Sequence, residues 1–96
     1  MYARLVLFTL GPGTRPTAEK VMGPFAPSMS AAKGFKGATF LGDDTTGQYG
    51  ALVLWESKEA AEAAFEVLFP QLQSALEGIV KAPPTATLFE VLEPKA

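Results

Sequence analysis

GFKGATFL (34–41), GDDTTGQ (42–48) and YGALVLW (49–55) form one continuous stretch that decides the fold. Its two outer parts are rich in aromatic and β-branched or long aliphatic residues, and the middle is polar and closed by Gly47. The pattern predicts two antiparallel strands joined by a hairpin loop. Asp43 and Asp44 are neighbouring carboxylates in that loop. Without further oxygen ligands close by they read as turn residues, so no metal site is expected.

Outward toward the C-terminus, Ser57 is placed to cap a helix, with Glu59 in the first turn where the helix dipole favours negative charge. Ala61, Ala64, Phe65, Leu68, Leu72, Ala75, Leu76 and Ile79 keep a three-four spacing, with Glu59, Glu62, Glu66, Gln73 and Glu77 on the other side. Pro70 predicts a break, with one helix ending near Leu68 or Phe69 and a short second one beginning at Pro70. Ala82-Pro83-Pro84 stops the helix, and 85–92 reads as a last strand.

Outward toward the N-terminus, Pro16 to Lys33 carries Ala18, Val21, Met22, Phe25, Met29 and Ala32 at helical spacing. Gly23-Pro24 and Pro27 interrupt that stripe, so the helix is expected to be kinked or broken, with a short helix from Ser28. The irregular apolar stretch Val21 to Met29 reads either as a loose turn or as a wall opening onto a pocket. Before it, Tyr2 to Leu10 is a strand closed by Gly11-Pro12-Gly13. The order is β-α-β-β-α-β, which predicts an α+β, ferredoxin-like fold: a four-stranded antiparallel sheet with both helices on one face, in a single domain spanning 1–96.

The strands are apolar on both parities. Leu52 and Leu54 alternate with Tyr49, Ala51, Val53 and Trp55, and Leu5 and Leu7 alternate with Val6 and Phe8. Helices cover one face only. An exposed apolar sheet is unfavourable on a monomer, so the pattern predicts a homodimer packed sheet on sheet.

The 96 residues are 48% apolar and 19% charged, with net charge −2. The basic residues are scattered singly, which argues against nucleic acid and against an anionic membrane surface. The run from Leu5 to Leu10 is too short to span a bilayer and no basic segment precedes it, so a cytoplasmic location is expected. His and Cys are both absent. That excludes thiolate and imidazole nucleophiles and zinc sites built on either group. Asn is absent as well, a mild sign of heat adaptation.

The Trp55-Glu56-Ser57-Lys58-Glu59-Ala60 run between the third strand and the second helix, the Gly34-Phe35-Lys36-Gly37 start of the second strand, and the overall spacing resemble the antibiotic biosynthesis monooxygenase-like proteins. The resemblance covers nearly the whole chain. It implies a dimeric α+β barrel with a ligand cavity between sheet and helices in each protomer. Family members include oxygenases that act on quinol-like substrates without a cofactor, and haem-degrading enzymes with a His ligand on the second helix. A chain without His does not fit the haem branch, and no cofactor is expected. The oxygenase branch places Trp, Tyr, Arg and Asn near substrate, so the match here is partial.

Within this frame Tyr2 and Arg4 share one face of the first strand, and Tyr49 and Trp55 share one face of the third. Arg4, Tyr49 and Trp55 are the catalytic candidates: Arg4 to stabilise a phenolate or peroxide anion, Tyr49 or Tyr2 to donate a hydrogen bond, and Trp55 to stack on a ring. Tyr2, Phe25, Phe40 and Phe65 are the candidate ligand-binding residues. Each has a plainer reading: Trp55 as core or interface, and Arg4 as the partner of Glu56 or Glu90 across the sheet. The expected function is a cofactor-independent monooxygenase on a small aromatic, quinol or phenol-like substrate. The alternative is a non-catalytic, small-ligand-binding or stress-associated barrel whose pocket is small or filled by side chains, a solid interior lined by Phe25, Phe40, Phe65 and Phe89 being its sign.

Overall fold

The computed structural model describes residues 1–93. Strand β1 (Tyr2–Thr9) is followed by α1 (Arg15–Met22), α2 (Phe25–Ser30), β2 (Phe35–Asp43), β3 (Gln48–Trp55), α3 (Lys58–Leu76) and β4 (Ala82–Glu90). The strands form one antiparallel sheet in the order β2-β3-β1-β4. That is the ferredoxin-like α+β arrangement expected from the element order.

The region of Pro16 to Lys33 is broken as its prolines require. Helix α1 ends at Met22, and α2 restarts at Phe25 behind Pro24, three residues before the expected start at Ser28. Pro27 falls in the first turn of α2, where a backbone N–H has no partner within the helix, so the residue is tolerated.

Helix α3 departs from expectation. Pro70 does not divide it, and the helix runs unbroken from Lys58 to Leu76. Proline removes one backbone hydrogen bond and crowds the preceding turn, a loss of about 3 kcal/mol. Buried residues on both sides of it, Ala61 and Ala64 before and Leu72 and Leu76 after, hold the two halves against the same sheet. Burial of that shared stripe outweighs one missing bond. Ser57 caps the helix as expected, its Oγ accepting from the Ala60 N–H at 3.1 Å.

Strand β4 starts earlier than expected, at Ala82, and includes Pro83 and Pro84. It is an edge strand paired only with β1, so prolines are allowed where the backbone faces outward. The register shift between Leu7 and Thr9 accommodates one extra residue of β4 at this point.

Register fixes which side chains share a face. Tyr2 lies opposite Trp55, Arg4 opposite Val53, Val6 opposite Ala51 and Phe8 opposite Tyr49. On β3 the buried set is Tyr49, Ala51, Val53 and Trp55, packed against the helices in two clusters. One contains Phe8, Leu10, Ala18, Tyr49, Leu72 and Leu76. The other contains Met29, Ala51, Val53, Trp55, Ala61 and Ala64. The opposite parity, with Leu5 beside Leu52 and Ala3 beside both Leu54 and Phe89, forms the sheet's second face. Phe89 therefore lies on that outer face, 51% exposed, and not in an interior with Phe25, Phe40 and Phe65.

The β2–β3 loop is locked by its own backbone. Asp43 Oδ1 accepts from the N–H groups of Thr45 and Thr46 at 2.9 and 3.3 Å, and the Gly47 N–H bonds the Asp43 carbonyl at 2.8 Å. Both aspartates thus serve the loop or its neighbours, Asp44 holding Arg15 Nε at 3.0 Å.

Candidate functional site

A cavity of about 90 Å³ lies between the helix-facing side of the sheet and the three helices. Its origin is a mismatch of side-chain size. Ala51 on the sheet faces a stretch of α3 that presents Ala61 and Ala64, and four larger aromatic residues, Phe25, Phe40, Phe65 and Phe69, stand around the gap. One water molecule needs about 10–15 Å³ of such space, so the void has room for several non-hydrogen atoms.

The wall includes the α1–α2 break, through Met22, Phe25 and Met29. The stretch from Val21 to Met29 is thus a pocket wall as well as an irregular turn. Gly23 and Pro24 divide the helix so that its two halves close over the cavity at different angles from a single straight helix. Phe69 was not singled out by the sequence reading. Its ring stacks on Phe65 at 4.6 Å between centroids, and the four-residue spacing of the two on α3 was the available signal.

Among the described residues that line the cavity, Arg4 and Trp55 alone carry side-chain nitrogen or oxygen atoms. The guanidinium of Arg4 sits 4.3 Å from the centre of the Phe65 ring. Its Nε is buried and bonds to no acceptor. Burial pushes its pKa below the usual guanidinium range, partly opposed by the charge of Glu62 on the next helical layer. An arginine remains cationic under such a perturbation. Neither expected partner reaches it: Glu56 pairs with Lys36 at 3.9 Å, and Glu90 stands opposite Tyr2 in the strand register. Trp55 is 3% exposed and meets Phe35 edge-on at 5.9 Å.

Of the candidate residues, the fold brings Arg4, Trp55, Phe25, Phe40 and Phe65 to one cavity. Tyr2 and Tyr49 are on the correct face of the sheet but do not line it. Tyr49 packs on Phe8 at 6.4 Å, and its hydroxyl donates to Asp44 Oδ1 at 3.1 Å. Asp44 in turn accepts from Arg15 at the start of α1, which joins the hairpin loop to that helix.

This triad makes a pH prediction. The hydrogen bond from Arg15 is the largest influence on the Asp44 carboxyl and holds it below an ordinary aspartate; desolvation opposes it, and the Tyr49 hydroxyl and the Arg15 charge add to the lowering. A depressed carboxyl stabilises the fold at every pH above its unfolded value and loses that contribution as pH falls through the folded value. Asp44→Asn is therefore expected to lower stability slightly in the neutral region, the loss being small because the pair is exposed, and to converge on the wild type in acid, so that its acid limb is flatter. Urea unfolding followed from neutral to acid pH measures it, and parallel acid limbs for both proteins would exclude this role.

No protein-family model matches the chain, and no curated protein matches it. Solved structures do. A candidate antibiotic biosynthesis monooxygenase from Deinococcus radiodurans superposes with TM-score 0.82 at 14% identity, covering 100% of this chain and 97% of the other. The monooxygenase ActVA-Orf6 of Streptomyces coelicolor, in complex with nanaomycin D, gives 0.73 at 22% identity, covering 98% and 92%. SnoaB of Streptomyces nogalater, a cofactor-independent oxygenase, gives 0.76 at 20% identity, covering 97% and 94%. The chain has the fold of the antibiotic biosynthesis monooxygenase-like proteins. No helix among the described residues is long and apolar enough to cross a membrane.

Proposed function

We propose that the protein is a cofactor-independent monooxygenase acting on a small aromatic, quinol or phenol-like substrate, and that it works as a homodimer joined through the outer sheet face. The observation that carries this reading is the apolar, aromatic-walled cavity with one cationic group, Arg4, whose Nε has no partner. The likeness in fold to SnoaB and ActVA-Orf6 supports it.

The chemistry needs little from the protein. An ionised phenol passes electrons to O₂ directly, one oxygen atom enters the ring, and the other leaves as water. A phenol plus O₂ gives a quinone plus water, so the substrate supplies all the reducing equivalents. Arg4 offers a fixed positive charge to the phenolate and then to the peroxide anion, inside a low-dielectric wall where such a charge acts strongly. Trp55 and Phe65 hold the ring. The cavity lining offers no carboxylate or other side-chain base, so the phenol must ionise before it enters.

Oxygen uptake with a panel of quinols and phenols tests this. Arg4→Ala is expected to lower kcat/KM by about a hundredfold, the range for loss of one anion-stabilising donor. Trp55→Phe should mainly raise KM. Uptake equal to wild type in both variants would sink the assignment of the site.

A non-catalytic ligand-binding barrel is the second reading. The open space beside Arg4 speaks against the form of it with a solid interior, and oxygen uptake separates the form with a small pocket from the oxygenase.

A further inference from the structure

The polar groups on the cavity wall are unbalanced. Among the described residues that line it, Arg4 brings a positive charge, and no side chain brings an oxygen or unprotonated nitrogen to accept a hydrogen bond. A neutral ligand that brings an O–H finds no side-chain acceptor for it and makes no use of the Arg4 charge. A ligand that brings one negative charge meets the charge of Arg4, which forms no ion pair among the described residues. The void is also small, about 90 Å³, and walled by flat rings.

We propose that the cavity favours small, planar monoanions over neutral molecules of the same shape, and that aromatic monocarboxylates bind there as competitive inhibitors. The inference rests on the cavity being the substrate site of the proposed oxygenase. It adds the form in which that site accepts a ligand. A carboxylate matches the guanidinium edge with two parallel bonds, better than the single oxygen of a phenolate. A plain benzoate ring has no ionised phenol to pass electrons to O₂, so a molecule held this way blocks the cavity without turnover.

Glu62 provides an internal check. Its carboxylate acts on Arg4 through space without an ion pair, so it competes with an incoming anion for the same charge. Removing it should strengthen anion binding without touching the cavity wall, which does not include Glu62.

Trp55 is the chain's single tryptophan and lines the cavity, so its fluorescence reports binding directly. Benzoate, benzyl alcohol and toluene are similar in size and differ in charge and donors. Benzoate is expected to bind wild type at least about tenfold more tightly than benzyl alcohol, whose hydroxyl lacks an acceptor. Arg4→Met should weaken benzoate about ten- to a hundredfold and leave toluene unchanged, which also shows that the cavity is intact. Glu62→Gln should tighten benzoate roughly two- to fivefold, the range for an exposed charge pair.

Equal binding of benzoate and benzyl alcohol to wild type would overturn the proposal, as would full benzoate affinity in Arg4→Met or no binding of any probe. If Arg4→Met does not fold, an unchanged benzoate affinity in Glu62→Gln overturns it. The oxygenase reading fails separately, on absent oxygen uptake. Benzoate binding without uptake leaves an anion receptor; uptake without benzoate binding leaves an oxygenase with a different ligand preference.

Discussion

At micromolar concentration the protein is expected to scatter light as a particle of about 20 kDa, twice the chain's 10.1 kDa, and Leu52→Asp to return it to one chain. Leu52 sits on the outer face of the central strand β3, directly beside Leu5 of β1. Around this pair lie Leu54, Ala3, Leu41 and Phe89, with Leu41 and Phe89 38% and 51% exposed. A face of this kind loses free energy to water at about 25 cal/mol per Å² of apolar area. A second copy placed on it removes that area from both chains, and a two-fold axis then brings equivalent residues near one another. Leu52→Asp would bury an unpaired carboxylate from each protomer, unfavourable by several kcal/mol per ion. On a monomer Leu52 is half-buried and the new carboxylate would stay in contact with water, so the same change would be less unfavourable. Scattering at one chain mass for the wild type would dismiss the sheet-to-sheet dimer outright.

Gly47→Ala is expected to destabilise the fold by about 3 kcal/mol or more. Gly47 has φ +75°, where a side chain is strained by about 1–2 kcal/mol. A Cβ there would also run into the backbone of Gly11. The contact is backbone on backbone, so no rotamer relieves it. It falls where the Leu10 N–H bonds the Gly47 carbonyl at 2.8 Å, so relief means parting the hairpin loop from the end of β1. Gly13 supplies the control. Its φ is +73° but a Cβ there meets nothing within 4 Å, so Gly13→Ala should show the strain alone. Urea midpoints for the two variants separate strain from collision. Equal losses would show that the loop shifts freely and that the close approach carries no energy.

The outcomes at Arg4 and Tyr49 show why the candidate site was only half legible. Strand parity placed Tyr2, Arg4, Tyr49 and Trp55 on common faces, and register confirms the geometry. Parity says nothing about how far along a strand a cavity extends. Tyr49 lies at the hairpin end, where Asp44, five residues earlier, takes its hydroxyl. Arg4 lies nearer the middle, opposite Val53, where no carboxylate follows the register. The choice between a paired and a free arginine thus turned on which glutamate other groups had taken, and Lys36 took Glu56.

Pro70 teaches the complementary lesson. Local preference argues for a break, and that preference is real, but α3 is held by burial at four positions on both sides of the proline. A single missing hydrogen bond is a small quantity beside the burial of Ala61, Ala64, Leu72 and Leu76. At Gly23-Pro24 the same residue type does break the helix, where α1 and α2 bury only Ala18 and Met29 fully. The strength of the surrounding packing, not the proline, separates the two cases.

By itself the stretch from 34 to 55 determined a hairpin, and with its flanks it determined the β-α-β-β-α-β order, because period, turn residues and caps are local properties of the chain. Composition likewise removed imidazole and thiol chemistry. Only the tertiary structure decided which face of the sheet the helices cover, that Ala51 opposes Ala61 and Ala64 to leave a void, and that Arg4 reaches it without a partner. Those outcomes depend on side chains distant in sequence meeting in space, and alternation along a strand defines two faces without assigning either one to the core.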